Sequence, residues 1–151
     1  MPQFSSLIND IYKLFDRPHE LSEDDLEMFA ENIKDSLRDV FSKKQEIHPG
    51  ERKLRLSKIG LPSRKLWFDI HSKPIVGGGK PSDQIRFIFG HLLEQLVLLL
   101  SKEAGHDVAQ EQARVEVDGV IGHKDCTIDG MTVDIKTASS FSYKKFANGE
   151  F

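Results

Sequence analysis

The sequence predicts an α+β domain in which one long helix packs on a small mixed or antiparallel sheet, behind a helical N-terminal subdomain. Three observations carry that expectation. Helical periodicity recurs through the first forty residues, an apolar run of helix length starts at residue 81, and two Asp-Gly turns punctuate alternating residues between 112 and 136. The 151 residues suffice for one domain with a modest core. Composition divides them into a helical subdomain over 1–45, a basic connector over 46–80 and a core over 81–151.

Ser5 or Ser6 opens the first helix, which ends near Asp16-Arg17-Pro18. Ser22-Glu23-Asp24-Asp25 resembles a capping box with Asp in the last position, and its carboxylates favour a helix N-terminus. Leu26, Phe29, Ile33, Leu37 and Val40 then recur at helical spacing. Nothing here carries chemistry. Residues 1–41 hold four basic side chains against ten acidic ones, a surface that keeps polyanions away.

Residues 43–65 invert that balance. Lys43, Lys44, Arg52, Lys53, Arg55, Lys58, Arg64 and Lys65 stand against Glu46 and Glu51, and the band leads into Trp67 and Phe68. The net charge of −3 argues against nucleic acid, but the average hides this patterning. Cations that meet phosphates, followed by aromatics that stack on bases, suit a single-stranded nucleic-acid path. Trp67 taken alone reads as ordinary core. The stretch from Ile75 to Ser82 fails as a phosphate loop, because Pro81 stands where Ser or Thr is needed and Pro74 where Gly is needed. It reads as a flexible connector.

From 81 to 105 the pattern is one long helix, capped by Ser82 or Asp83 and closed by Gly105. Ile85, Phe87, Ile88, Phe89, Leu92, Leu93, Leu96, Val97, Leu98, Leu99 and Leu100 make it apolar nearly all round, as a buried core helix is. Glu94 sits within that run with no basic residue at helical spacing. An ionised carboxylate there must be paired, ligate a metal or shift its pKa. A Glu reaching the rim of the core is the bland alternative. Gly90, one turn earlier, costs about 1 kcal/mol of helix propensity relative to Ala, so the expectation is that it clears room for another backbone.

After the helix, Val115 and Val117 alternate before Asp118-Gly119, a turn signal. Asp129-Gly130 signals a two-residue hairpin turn. Closed that way, it sets Ile128 opposite Met131, Asp125 opposite Asp134 and His123 opposite Lys136, the last four on one face. Directly opposed like charges repel by roughly 3 kcal/mol at about 5 Å and an effective dielectric near 20. A cation between them reverses the sign, so the geometry reads as a metal site. The alternative is a solvated hairpin whose carboxylates splay into water beside Lys136. Packing this sheet on the long helix brings Glu94 toward the Asp pair.

The order Gly90-x-x-x-Glu94, then Asp125, then Asp134-Ile135-Lys136 resembles the PD-(D/E)XK nuclease superfamily, and within it the RecB-like branch that includes phage exonucleases. The resemblance is specific over about 90–140. The segment from Leu54 to Trp67, with Arg55, Ser57, Lys58 and Arg64, is similar to the leading segment of phage members. Two departures stand beside it. Lys124 occupies the place of the superfamily's Pro, and no Gln-x-x-x-Tyr helix motif follows Lys136. The resemblance therefore implies an N-terminal fragment whose nuclease core of α/β type is incomplete, with a further strand beyond Phe151.

The resemblance implies a metal-dependent DNA nuclease, an exonuclease of phage type in DNA processing or recombination. Glu94, Asp125, Asp134 and the main-chain carbonyl of Ile135 would hold Mg²⁺ or Mn²⁺, the hard cations that all-oxygen ligands suit. Lys136 would orient the attacking water or offset charge on the phosphate. Arg52, Lys53, Arg55, Ser57, Lys58, Arg64 and Trp67 would contact DNA, as single strands or duplex ends. A catalytically weak nucleic-acid-binding module that retains the metal site, and a structure-specific endonuclease, stay open as alternatives.

The single cysteine excludes an intrachain disulfide, and Cys126 alternates away from the acidic face, as a small buried apolar residue would. No basic patch and apolar run mark a signal peptide, and the apolar stretches read as too short or interrupted to span a membrane. The expectation is a cytoplasmic protein. Of the six histidines, five lack a partner at zinc-site spacing; His123 is set apart by its place opposite Lys136.

Overall fold

The computed structural model describes residues 2–16, 18–42, 54–72 and 80–150. It has the predicted α+β architecture, with a long helix packed on short antiparallel strands. Arg52 and Lys53, the basic residues at 43 and 44, and the glycine run at 77–79 lie outside the described residues.

A short 3₁₀ turn at Phe4–Ser6 precedes α1 (Leu7–Lys13), whose N-cap is Ser6, one of the two serines expected to open it. Helix α2 (Glu23–Phe41) begins as its capping sequence demands. Ser22 is the N-cap and its side chain accepts from the Asp25 amide, at a long 3.5 Å. Leu26, Phe29, Ile33 and Val40 turn inward, whereas Leu37 stays exposed. The inward face of α2 packs on α4 (Pro81–Glu103), where Asn32 donates to Gln95 at 2.7 Å. Burying two amides works only because each supplies the other's partner.

Helix α4 departs from the sequence expectation in two respects. Its N-cap is Lys80 with Pro81 in the first turn, not Ser82 or Asp83, because proline needs no amide partner there. Its burial is confined to the C-terminal half, at Gln95, Leu98, Leu99 and Ser101. Ile85, Phe87 and Phe89 lie on the surface, so apolar composition does not report burial along the whole helix. By length and composition alone α4 is also able to cross a membrane, contrary to the reading of interrupted stretches; here it packs on α2 and on the strands.

Gly105 ends α4 in the left-handed region, at φ 84°. The chain then builds two sheets where the sequence implied one. Strands β2 (Ala113–Val117) and β3 (Val120–Lys124) form a two-stranded ribbon; β1 (Val108–Ala109), β4 (Cys126–Ile128) and β5 (Met131–Val133) form a three-stranded sheet in the order β1-β4-β5. Both turns are of the two-residue type that Asp-Gly favours, with positive φ at Asp118, Gly119, Asp129 and Gly130. Leu98 of α4 closes the core over Cys126 and Ile128, with Leu7, Val108, Val133 and Ile135 around them. Truncating Leu98 there would cost about 2–5 kcal/mol.

Residues 46–80, read as a connector, contain structure. A 3₁₀ turn at Leu56–Lys58 lies across β3: Arg55 bridges Ile121, and the Ile121 amide donates to the Leu54 carbonyl at 2.9 Å. Gly122 is the contact point. A Cβ there would meet Leu56 side-chain atoms at 2.6–3.0 Å, so only glycine admits the turn. Helix α3 (Ser63–His71) follows, with Leu66, Asp69 and Ile70 turned inward and Lys58 bonded to Asp69 at 2.8 Å.

Candidate metal centre and active site

Strands β4 and β5 close in the predicted register, with Ile128 paired to Met131, Thr127 to Thr132 and Cys126 to Val133. Pairing stops there. Asp125 and Asp134 lie just beyond the last pair, and each takes a donor of its own. The Asp125 carboxylate turns to accept the Ile135 amide at 2.7 Å, while Asp134, 61% exposed, takes Lys136 at 2.8 Å. Each acid finds a hydrogen-bond donor, which removes the repulsion that an ideal ladder would impose.

The ladder breaks because the chain changes sheets at Asp125. Strand β3 pairs with β2, so His123 lies opposite Arg114 and not opposite Lys136. The His123–Lys136 pairing is therefore corrected: the strand before Asp125 belongs to a different sheet.

Glu94 does reach this junction. Gln112 donates to its Oε1 at 2.5 Å, and the Gln112 amide donates to the Asp125 carbonyl at 2.8 Å. Burial pushes the Glu94 carboxyl above the usual range. The Gln112 bond opposes that shift, nearby Asp125 adds to it, and His91 and Lys136 pull it back. His91, at helical spacing with Nδ1 3.9 Å from the carboxylate, is the basic neighbour that the sequence reading overlooked. Gly90 clears no space for a backbone: nothing lies within 4 Å of a Cβ placed there. Lys136 is held in its charged form chiefly by its bond to Asp134, with Asp125 and Glu94 adding to that hold.

The arrangement thus gathers Glu94, Asp125 and Lys136 within electrostatic reach, with Ile135 bound through its amide to Asp125. Among the described residues, no group of three or more His, Cys, Asp or Glu is close enough to hold a metal ion. Two carboxylates nonetheless fit Mg²⁺, which keeps several waters and takes one or two protein carboxylates. Asp134 is bonded to Lys136.

Cys126 is buried, and that burial raises its thiol pKa to about 11, so it is an inert core residue as expected. Beyond Lys136 a short helix, α5 (Ser140–Ala147), is present. Tyr143 lies four residues after Ser139, which occupies the position of the missing Gln and caps the helix by accepting the Ser142 amide at 3.2 Å.

Comparison with family models, characterised proteins and solved structures finds no match. The resemblance to PD-(D/E)XK nucleases rests on these residues alone.

Gln112 was missed from sequence, and no periodic signal marks it: it sits in a bend at φ 50°. His106 was missed as well. Its buried ring lies between two carboxylates, with Nδ1 2.6 Å from Asp129 and Nε2 3.6 Å from Asp10. It joins the β4–β5 turn to α1. On the nucleic-acid side, Arg55 is fixed by its bridge to β3, Lys58 by Asp69, and Ser57 lies within the 3₁₀ turn. Arg64 and Trp67 are exposed on α3, so Trp67 is not the core residue that it suggests when taken alone.

Proposed function

We propose that the chain is a metal-dependent deoxyribonuclease of PD-(D/E)XK type, acting as an exonuclease on DNA in the cytoplasm with Mg²⁺ or Mn²⁺. The observation that supports this reading is the approach of Glu94 on α4 to Asp125 at the junction of the two sheets, with Lys136 drawn by both. Glu94, Asp125 and the Ile135 carbonyl would hold the ion, joined by Asp134 once it leaves Lys136. Bound there, the ion supplies Lewis-acid polarisation of the phosphate and lowers the pKa of a bound water.

The protein's own groups do the positioning. Gln112 aims the Glu94 carboxylate, and the Ile135 amide fixes one oxygen of Asp125. Lys136 orients the attacking water or offsets charge on the phosphate. A second reading, a DNA-binding module without turnover, is favoured by the Asp134–Lys136 pair, which occupies the third carboxylate and the lysine together.

Digestion of end-labelled linear and circular DNA, with and without Mg²⁺, separates them. The nuclease shortens linear DNA only with the ion and spares circles; an endonuclease cuts both, and a binder shifts DNA without shortening it. Lys136→Ala should abolish cleavage while leaving Mn²⁺ affinity within about threefold, because a protonated amine is not a ligand. Cleavage at the wild-type rate by that variant would remove the proposed catalytic lysine.

A further inference from the structure

Helix α3 places its aromatic residues on the side away from the protein. Arg64, Trp67, Phe68 and His71 follow the spacing of one helical face, while Leu66, Asp69 and Ile70 form the opposite, inward face. That reverses the usual pattern, in which the aromatic stripe is the buried one. Trp67 is 55% exposed and Phe68 48%.

The rings are also ordered. Trp67 stacks on His71 with centroids 4.4 Å apart and planes 15° from parallel. His71 Nδ1 lies 2.8 Å from the Trp67 carbonyl. A carbonyl only accepts, so that nitrogen carries a proton and the imidazole is locked as a backing plate. Phe68 meets Trp67 edge-on at 5.2 Å, and the Arg64 guanidinium sits 5.9 Å above the Phe68 ring. Around them, the described stretch 54–72 carries Arg55, Lys58, Arg64 and Lys65 against Asp69 as its one acid.

We infer that this face of α3 is a stacking platform for unpaired nucleotides, with Trp67 backed by His71 as the base-binding ring and Arg64 and Lys65 meeting the phosphates. A pre-stacked pair whose tryptophan is half exposed accepts a base at little ordering cost, and every base offers a π-face. A duplex hides those faces, so single strands are the preferred occupant. The inference deepens the nuclease reading by naming its substrate form, yet it concerns binding and does not depend on turnover.

Trp67 is the chain's one tryptophan, so its fluorescence reports the site directly. In EDTA, oligo(dT) should quench that emission, and blunt duplex and heparin should not. By anisotropy of labelled oligo(dT), Trp67→Ala should bind about tenfold more weakly, and Trp67→Phe within about threefold of wild type. His71→Ala, a milder surface change, should weaken binding by a smaller factor. Equal quenching by duplex, or undiminished binding by Trp67→Ala, overturns the inference. A blue shift on anionic vesicles without response to oligo(dT) overturns it in favour of a lipid surface. Wild type that digests DNA with Mg²⁺ but never quenches overturns the platform alone; quenching without digestion leaves the platform and removes the nuclease.

Discussion

Gln112 Nε2 donates to Glu94 Oε1 at 2.5 Å, joining two residues eighteen apart in sequence, and the same glutamine's amide holds the Asp125 carbonyl. One residue thereby ties the helix carrying the first candidate ligand to the junction carrying the second. Gln112→Leu should destabilise the protein by about 0.5–1.5 kcal/mol at neutral pH, because a half-buried carboxylate loses its donor.

That cost has a defined pH sign. The folded-state pKa of Glu94 is raised, so folding retains its proton over the interval between the unfolded and folded values, and stability falls as pH rises through that interval. Removing Gln112 raises the folded value further. Urea melts at pH 5 and pH 8 should show the larger loss at pH 8; an equal loss at both would place the bond's contribution elsewhere.

The two aspartates should behave differently without metal. Asp134→Asn breaks only an exposed ion pair and should shift stability in chelator by less than about 0.5 kcal/mol. Asp125→Asn weakens the charged acceptor of the Ile135 amide and should cost roughly 1–2 kcal/mol. Thermal melts in EDTA would separate them, and Mn²⁺ calorimetry should show the greater loss of affinity for Asp125→Asn. Undiminished Mn²⁺ binding by the double variant would sink the site.

Gly122→Ala should destabilise by about 1–3 kcal/mol, since its methyl group overlaps Leu56. Leu56→Ala, although destabilising alone, should recover part of that loss in the double variant. Additive losses in a double-mutant cycle would show that the contact is not the cause.

Asp129 is held below the usual carboxylate range, first by its bond to His106 and then by the Asp107 amide, with burial opposing both. A depressed carboxyl contributes stability that is present above its unfolded pKa and lost as pH falls through the folded value. Acid titration of folding below the usual carboxylate range should therefore be shallower in Asp129→Asn. An unchanged acid limb in that variant would dismiss the linkage.

Turn chemistry was legible where backbone geometry is local. Asp118-Gly119 and Asp129-Gly130 demand positive φ, and the β4–β5 register followed by counting outward from the second turn. The change of sheet at Asp125 was not legible, because β3 departs to pair with β2 through contacts that no period announces. Asp125, Asp134, Glu94 and Lys136 were picked out by charge in unusual places. Their actual partners, Ile135, Gln112 and His91, depend on which donor each carboxylate finds in three dimensions. Trp67 failed for the related reason that a helical stripe does not say which side faces in.

The tie from His106 to Asp10 spans about a hundred residues of chain. During synthesis at about 5–20 residues per second, α1 and α2 would wait roughly 5–20 s before the helix and turn that receive them leave the ribosome. Over that interval Leu26, Phe29 and Ile33 have no surface to cover them. Their exposure lasts until α4 emerges complete at residue 103, and slow codons before that point would lengthen it.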